Sequence, residues 1–396
     1  MTVNSKAPSP LDQAVSEASN PERLDVDASL IGLKREAVLG LSMALRLRWF
    51  HLQQVRHPRL LHVFQDLSEL MEPNNDVNIV SLVGMTGVGK TTLARQLVPH
   101  IVSLYGDAPP NEIPVLYVKV PANGERSLSW RVLYQRICNA AQEIMLQNRI
   151  NVDTSTPGEM RYTGRAGRSI AAMREVLEPI IEHRNVRMLI LDEAVHLLRF
   201  QEYKEVMDTV KSLSDIGNMK LLLIGSYDIV ELMSSYGQVA RRSEIVHYRR
   251  YSVEQTKPVV KDGVEKLTAD QMEFRKVLKQ FEEIWPSKNV PNLQLAWFEW
   301  MLQTLGCIGL LKLIRLAALQ LKAPGEKLKV PMLKKIFKTK KALQLLEEET
   351  SKGEDALRGG CYGESPFDDD ALAALFSTMT GEKIVKPTKE GADAVA

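Results

Sequence analysis

A glycine-rich stretch between a predicted strand and a predicted helix constrains this chain more than any other feature. The segment Gly84–Thr91 reads G-x-x-x-x-G-K-T, the apolar run Asn78–Val83 precedes it, and apolar residues at helical spacing follow from Leu93 to Ile101. Strand, glycine-rich loop and helix in this order are typical of a phosphate loop. A chance match in a glycine-containing turn would not need both flanking elements. We therefore expect an α/β domain built around a phosphate site.

Each residue type in the loop has a chemical task. Glycines let the backbone curl so that several N–H groups point at one anion, and the helix that follows adds the positive end of its dipole. Lys90 is expected to contact the β- and γ-phosphates, and the Thr91 hydroxyl to hold Mg²⁺. The sequence thus predicts ATP and Mg²⁺ as cofactors. The residues predicted to bind the nucleotide are Gly84, Thr86, Gly87, Val88, Gly89, Lys90, Thr91 and Thr92.

Composition excludes several classes of protein. The 396 residues include 51 Lys and Arg against 49 Asp and Glu, so the net charge is +2 and any nucleic-acid surface must be local. Cys138, Cys307 and Cys361 have neither zinc spacing nor the pattern of a disulfide framework. The N-terminus is unlike a signal peptide, and no apolar run approaches the roughly 20 residues that span a bilayer. We predict a cytoplasmic protein with no membrane partner.

Hydrophobic periodicity divides the chain into five segments. Residues 1–28 are polar and are predicted to be a disordered lead, and residues 29–76 are predicted to form N-terminal helices. Strands alternate with helices over 77–252, which predicts a parallel sheet with helices on both faces. Residues 253–346 show only helical periodicity and are the predicted helical lid. The polar residues 347–396 are the predicted flexible tail.

Polar residues follow two of the predicted strands. Asp192 and Glu193 end the apolar run Val186–Leu191, and Ser226 ends Met219–Gly225. Ligands of open α/β sheets bind at the carboxyl ends of the strands, where these residues should meet the phosphate loop. Asp192 suits the Mg²⁺ shell, and Glu193 suits the base that orients the attacking water.

Each of these residues also has a structural interpretation. An acidic pair after a strand is, taken alone, more often a helix N-terminus that the dipole favours. The upstream phosphate loop reverses that balance for Asp192 and Glu193. Ser226 is placed to contact the γ-phosphate or water, and it is equally compatible with a helix N-cap.

An arginine pair, Arg241 and Arg242, precedes the last predicted strand. Two exposed arginines are more often simply solvated. However, no arginine in the loop, strand or acid motifs is placed to meet the γ-phosphate within one subunit. An arginine finger from a neighbouring subunit would fill that gap, and we predict Arg242 in this role.

Taken in order, these motifs resemble an AAA+ ATPase, and more closely the TniB/TnsC group of transposon ATPases. The stretches that carry the resemblance, besides the phosphate loop, are His57–Arg59, Ile224–Ser226, Gln238–Arg242 and Leu305–Leu311. The resemblance implies ATP-dependent assembly as a ring or filament on double-stranded DNA. It also implies communication between a target-selector protein and a transposase. Arg242 matches the position of the finger in that family, and Lys312 falls where many AAA+ lids carry a sensor arginine.

Cations that could line the bore of such an assembly follow the second predicted strand. Each could bind DNA phosphate without reading bases, and a solvated face is an equally good interpretation of any single one. The predicted DNA contacts are Arg126, Arg131, Arg161, Arg165 and Arg168. The segment 322–341, with eight Lys and one Glu, is a second candidate.

Three other functions fit parts of the pattern. One is a different DNA-associated AAA+ ATPase, such as a replication initiator or a helicase loader. Another is a scaffold that binds ATP without turnover, and the third is a small-molecule P-loop kinase, which would need no arginine from a neighbour. In the tail, residues 366–380 place apolar side chains at helical spacing. That segment is predicted either to dock a partner protein or to fold back onto the lid.

Overall fold

A five-stranded parallel sheet lies at the centre of the chain in this computed structural model. From one edge to the other its strands are β2 (Val115–Lys119), β5 (Met188–Asp192), β6 (Lys220–Gly225), β1 (Ile79–Val83) and β7 (Ser243–His247). Every neighbouring pair is parallel, so the carboxyl ends of all five strands lie on the same side of the sheet. β1, β5 and β6 are buried throughout. This arrangement confirms the predicted α/β fold with a covered parallel sheet.

The structure describes residues 27–104, 109, 111–122, 130–141, 150–153, 161–165, 170–198, 203–230, 242–253, 260–261, 264–265, 267–323 and 325–359. Its α-helices are α1 (Arg35–Val38), α2 (Met43–Leu52), α3 (Pro58–Leu70), α4 (Lys90–Leu104), α5 (Trp130–Ala140), α6 (Ile170–His183), α7 (Tyr203–Ser214), α8 (Ala269–Glu283), α9 (Trp297–Thr304), α10 (Lys312–Ala318), α11 (Val330–Ile336) and α12 (Lys340–Gly359). Two antiparallel hairpins pair β3 (Ile150–Asp153) with β4 (Arg161–Arg165), and β8 (Val260–Lys261) with β9 (Val264–Glu265).

The first of two hydrophobic cores surrounds the sheet. Helix α4, which continues the phosphate loop, packs on the sheet through Leu93, Leu97 and Ile101, all fully buried. Their spacing of four residues puts them on one face of the helix, as its amphipathic pattern predicts. The core therefore fixes the helix whose first residue is Lys90.

The second core joins the lid to the first two helices. The Phe50 ring of α2 lies 5.7 Å from the Trp285 ring and 6.3 Å from the Phe281 ring, centroid to centroid, in edge-on contacts. Helix α3 instead packs on the sheet, where Leu67 is fully buried. The predicted N-terminal helices, residues 29–76, are thus divided between two cores.

Helix α12 crosses the predicted boundary between lid and tail after residue 346 and continues to Gly359. Within this polar helix, Leu357 is buried in the sheet core. A Cβ on Gly353 would lie 2.3 Å from the Tyr227 ring, so helix and ring are in close contact. Arg250, which follows β7, forms ion pairs with Glu347 and Glu354 of this helix. Tertiary contacts hold a helix whose composition alone predicted a flexible tail.

The register of the β3–β4 hairpin shifts between Asn151 and Val152. The predicted lead, apart from residues 27 and 28, and the docking segment 366–380 lie outside the described residues.

No single helix in the described part of the chain is long and apolar enough to cross a membrane. One sharply bent pair, Gln294–Thr304 with Ile308–Ala318, reaches the required length and hydropathy when its two halves are taken together.

Candidate active site

The phosphate loop has the backbone that its glycines predict. Gly87 has φ 86° and Gly89 has φ 115°, the left-handed region that side chains with a Cβ rarely adopt. The lid contacts the loop here, because a Cβ on Gly309 would lie only 1.6 Å from the Gly87 carbonyl oxygen. Glycine is therefore required on both sides of this contact.

Lys90 begins α4 and turns its ammonium back over the loop. Its Nζ donates to the carbonyl oxygens of Gly84 (2.7 Å) and Met85 (3.0 Å). Burial lowers the pKa of Lys90 to about 8, although the nearby Asp192 and Glu193 act to raise it. The side chain is therefore mostly protonated at neutral pH, with its charge at the loop.

Asp192 is the most completely bonded group at the strand ends. It is 4% exposed, and its Oδ2 accepts the Thr91 hydroxyl at 2.9 Å and the Tyr117 hydroxyl. Its Oδ1 accepts the N–H of Glu193 at 2.9 Å. Burial and the contact with Asp192 raise the pKa of Tyr117, which stays a neutral donor. Hydroxyl and carboxylate are oxygen ligands that suit Mg²⁺ together with water and phosphate.

Glu193 projects from a strained position into solvent at the mouth of the site. Its φ of 59° and ψ of 36° lie in the left-handed region, directly after β5. Its carboxylate lies 3.2 Å from the Lys119 ammonium and 3.7 Å from Nε2 of His196. The Lys119 and Glu193 side chains are 62% and 44% exposed, so this pair is weak and easily exchanged for water.

A cavity of about 360 Å³ brings together six of the predicted nucleotide-binding residues, both acidic residues and Ser226, whereas the predicted residues Gly84 and Val88 do not line it. This volume lies within the range of small-molecule sites. The lining residues come from the phosphate loop, the ends of β5 and β6, and the lid. They are Thr86, Gly87, Gly89, Lys90, Thr91, Thr92, Asp192, Glu193, Val195, Ile224, Gly225, Ser226 and Gly309. Of the described residues, His, Cys, Asp and Glu form no group of three that could hold a metal by themselves.

Three predicted site residues make no contact that establishes a role. The Ser226 hydroxyl donates to Asp228 at 2.7 Å, at the edge of the cavity. Arg242 is exposed, and its carbonyl oxygen accepts the N–H groups of Asn78 (3.0 Å) and Ile79 (3.2 Å). Lys312 is exposed at the start of α10 and does not line the cavity.

The predicted DNA contacts are only partly described. Arg131 is exposed on α5. Arg161 and Arg165 are the first and last residues of β4. Arg126 and Arg168 lie outside the described residues.

Sequence reasoning missed two residues at the end of β2. Tyr117 donates to Asp192, and Lys119 pairs with Glu193. In the β2–β5 register Lys119 lies opposite Asp192. The sequence predicted that a strand ends near Lys119, but not that this strand lies beside the one that ends at Asp192. The order of the strands in the sheet decides which residues face the acidic pair.

The fold is a parallel α/β domain that carries a phosphate loop, followed by a helical C-terminal region. Residues 74–233, which contain the loop and both acidic residues, match the family model described as an AAA domain. No curated protein matches this chain.

Several solved structures are similar to it. The ADP form of the Aeropyrum pernix ORC2 protein is 14% identical, with a TM-score of 0.45, over 83% of this chain and 86% of that one. The Walker-type ATPase PABY2304 of Pyrococcus abyssi is 15% identical, with a TM-score of 0.44, over 84% and 87%. The Aeropyrum pernix ORC1 protein in complex with DNA is 16% identical, with a TM-score of 0.46, over 90% and 78%.

Proposed function

We propose that this chain binds and hydrolyses ATP, assembles on double-stranded DNA and links target-site selection to a transposase. The observation that carries the ATPase part is the convergence of Lys90, Thr91, Asp192 and Glu193 on one cavity. The transposon part rests on the resemblance of the motifs to the TniB/TnsC group.

The residues divide the chemistry between them. The loop N–H groups and the Lys90 ammonium bind the β- and γ-phosphates and stabilise charge as it moves during transfer. Thr91 and Asp192, which are hydrogen-bonded to each other at 2.9 Å, would hold Mg²⁺, and the ion would supply positive charge that offsets the charge of the phosphates. Glu193, whose exposed pair with Lys119 is weak, orients the attacking water and takes its proton.

Arg242 is proposed to complete the site of a neighbouring subunit. Its exposed position just before β7 leaves its side chain accessible to another copy of the chain. A mixture of Arg242→Ala and Lys90→Ala proteins should recover part of the ATPase activity that each lacks alone. One intact composite site then forms from an Arg242 and a Lys90 in different subunits. If Arg242→Ala alone hydrolyses ATP normally and mixtures gain nothing, Arg242 is not the finger.

DNA binding is expected to depend on ATP, to tolerate any sequence and to weaken steeply with salt. Replacing Arg126, Arg161 and Arg165 with alanine should lower the affinity about equally on unrelated duplexes. If each arginine contacts one phosphate, the slope of log K against log salt should become shallower by about 2.7. The readout is anisotropy of labelled duplexes over a salt series. Arg187→Ala is the control, because this arginine is exposed just before β5, at the amino ends of the sheet strands.

Particle size with and without ATP and DNA, measured on the same samples, separates this proposal from its alternatives. A ring or filament that requires nucleotide supports an AAA+ assembly. A monomer under all conditions contradicts it and favours the small-molecule kinase.

Loss of affinity on only one duplex sequence would mean that the arginines read bases, as in a replication initiator. An integrase-like transposase gene beside this one would support the transposon role, including a partner for the segment 366–380.

A further inference from the structure

The phosphate loop rests on Tyr248, which follows β7. The Tyr248 N–H donates to the Val83 carbonyl at 2.8 Å and continues the pairing of β7 with β1 up to the loop. A Cβ on Gly84 would lie 2.6 Å from the Tyr248 carbonyl oxygen, and a Cβ on Gly89 would lie 3.6 Å from its hydroxyl. One tyrosine therefore contacts the loop at both the first and the last glycine of the motif.

A buried histidine holds the Tyr248 hydroxyl. His57 is 4% exposed, with Nε2 at 3.2 Å from the Tyr248 hydroxyl and Nδ1 at 3.3 Å from the Tyr251 hydroxyl. Burial, together with the charge of Arg59, lowers the pKa of His57 to about 4, so the ring is neutral at neutral pH. A neutral imidazole has one donor and one acceptor nitrogen. The two tyrosines use both.

The second tyrosine carries the connection to the lid. The Arg59 guanidinium lies 4.2 Å from the centroid of the Tyr251 ring, within cation–π range. Arg59 also donates to Asp270 Oδ1 at 2.5 Å, in the first turn of lid helix α8. A Cβ on Gly306 would lie 1.9 Å from the Tyr251 carbonyl oxygen, so the lid backbone touches the same residue.

A buried histidine often serves only to supply hydrogen bonds to the polar groups around it. His57 differs in its position, because its contacts join the loop glycines to the lid although it lines no part of the nucleotide cavity. An apolar ring of similar size would fill the same space without burying the two imidazole nitrogens, and buried polar atoms cost free energy unless they are hydrogen-bonded. What only the hydrogen bonds supply is a fixed orientation of the Tyr248 hydroxyl beside Gly89.

We infer that His57 is a positioning residue for nucleotide binding, which holds Tyr248 against the phosphate loop and ties that loop to the lid through Tyr251 and Arg59. This inference rests on the proposed binding of ATP. Without these bonds the loop keeps all its phosphate ligands, but its glycine backbone is less ordered before the nucleotide arrives. Ordering the loop then opposes binding. The water-activating geometry at Glu193 is unaffected once the nucleotide is bound.

The test compares ATP affinity with turnover in the full-length chain. His57→Phe keeps an aromatic ring at this position and removes the hydrogen bonds to Tyr248 and Tyr251. Tyr248→Phe removes only the Tyr248 hydroxyl. Each should raise the Kd for a fluorescent ATP analogue about tenfold, as expected for loss of a buried hydrogen bond. At saturating ATP, kcat should stay within about twofold, because the lost contacts act on binding and not on the chemical step. The double variant should be no worse than His57→Phe alone, because Tyr248→Phe removes a bond that His57→Phe has already removed.

Two further variants control for a general loss of packing. His57→Gln keeps one donor and one acceptor and should restore most of the affinity. Tyr134→Phe removes a hydroxyl from a tyrosine that is also buried, on α5, and should leave the Kd unchanged. If His57→Phe does not fold, Tyr248→Phe decides the question.

Three results would overturn the role of His57. They are a Kd within about twofold of wild type for the folded variants, additive losses in the double variant, or a fall in kcat with unchanged Kd. Failure of the wild-type chain to bind ATP would instead refute the proposed function itself.

Discussion

Glu193→Gln is expected to lower ATP turnover by at least about a hundredfold and to leave ATP binding intact, because it removes a general base and no phosphate contact. Glutamine matches the size of glutamate but cannot accept the proton of the attacking water. Since hydrolysis no longer ends the bound state, ATP-dependent assemblies of this variant should persist longer than those of wild type. The measurements are phosphate release at saturating ATP, analogue binding, and particle size over time.

Lys119→Ala separates loss of the carboxylate from loss of the ion pair. It breaks the same 3.2 Å pair and keeps the Glu193 carboxylate, so its turnover should remain far above that of Glu193→Gln. Equal losses in the two variants would assign the effect to the pair. Hydrolysis by Glu193→Gln near the wild-type rate would remove Glu193 as the base.

The sheet and the phosphate site were predictable because their signals are local. β1, β5 and β6 are buried on both faces, so their sequences are almost continuously apolar. The loop is specified by glycines whose positive φ values no other residue adopts easily. Because parallel strands place their carboxyl ends together, Asp192 could be placed beside Thr91 from the sequence alone, and their hydrogen bond is 2.9 Å long.

The contacts that sequence reasoning missed depend on which distant segments become neighbours. Tyr117 reaches Asp192 only because β2 is next to β5 in the sheet. Helix α12 has an acidic, weakly apolar sequence, yet Leu357 and Gly353 pack it against the sheet core. The strand order and the surface available for α12 are set by the whole fold. No window of residues contains that information.

Lys90 should also make nucleotide binding depend on pH. Its pKa in the protein is about 8, lower than in the unfolded chain because burial disfavours the charged form. Phosphate binds the ammonium and not the neutral amine. The affinity of the free protein for ATP should therefore be fully developed well below pH 8 and fall as the pH rises above it. The same titration of Lys90→Ala should lack this loss.

Lys90→Ala is expected to weaken ATP binding by at least about a hundredfold, because charge-assisted hydrogen bonds to two phosphates are worth about 3 kcal/mol or more together. Lys220 is a matched control. Its side chain is buried, burial lowers its pKa as it does for Lys90, and its Nζ donates to three backbone carbonyl oxygens at 2.9–3.0 Å. Those carbonyls belong to residues 70–77, away from the phosphate loop. Lys220→Ala should therefore lower the melting temperature without raising the Kd for ATP, whereas Lys90→Ala should raise the Kd in a protein that remains folded. Calorimetric titration with ATP and Mg²⁺, beside thermal unfolding of both variants, measures the two effects. Equal losses of affinity would show that any buried lysine supports binding through stability, and that Lys90 has no specific contact with phosphate.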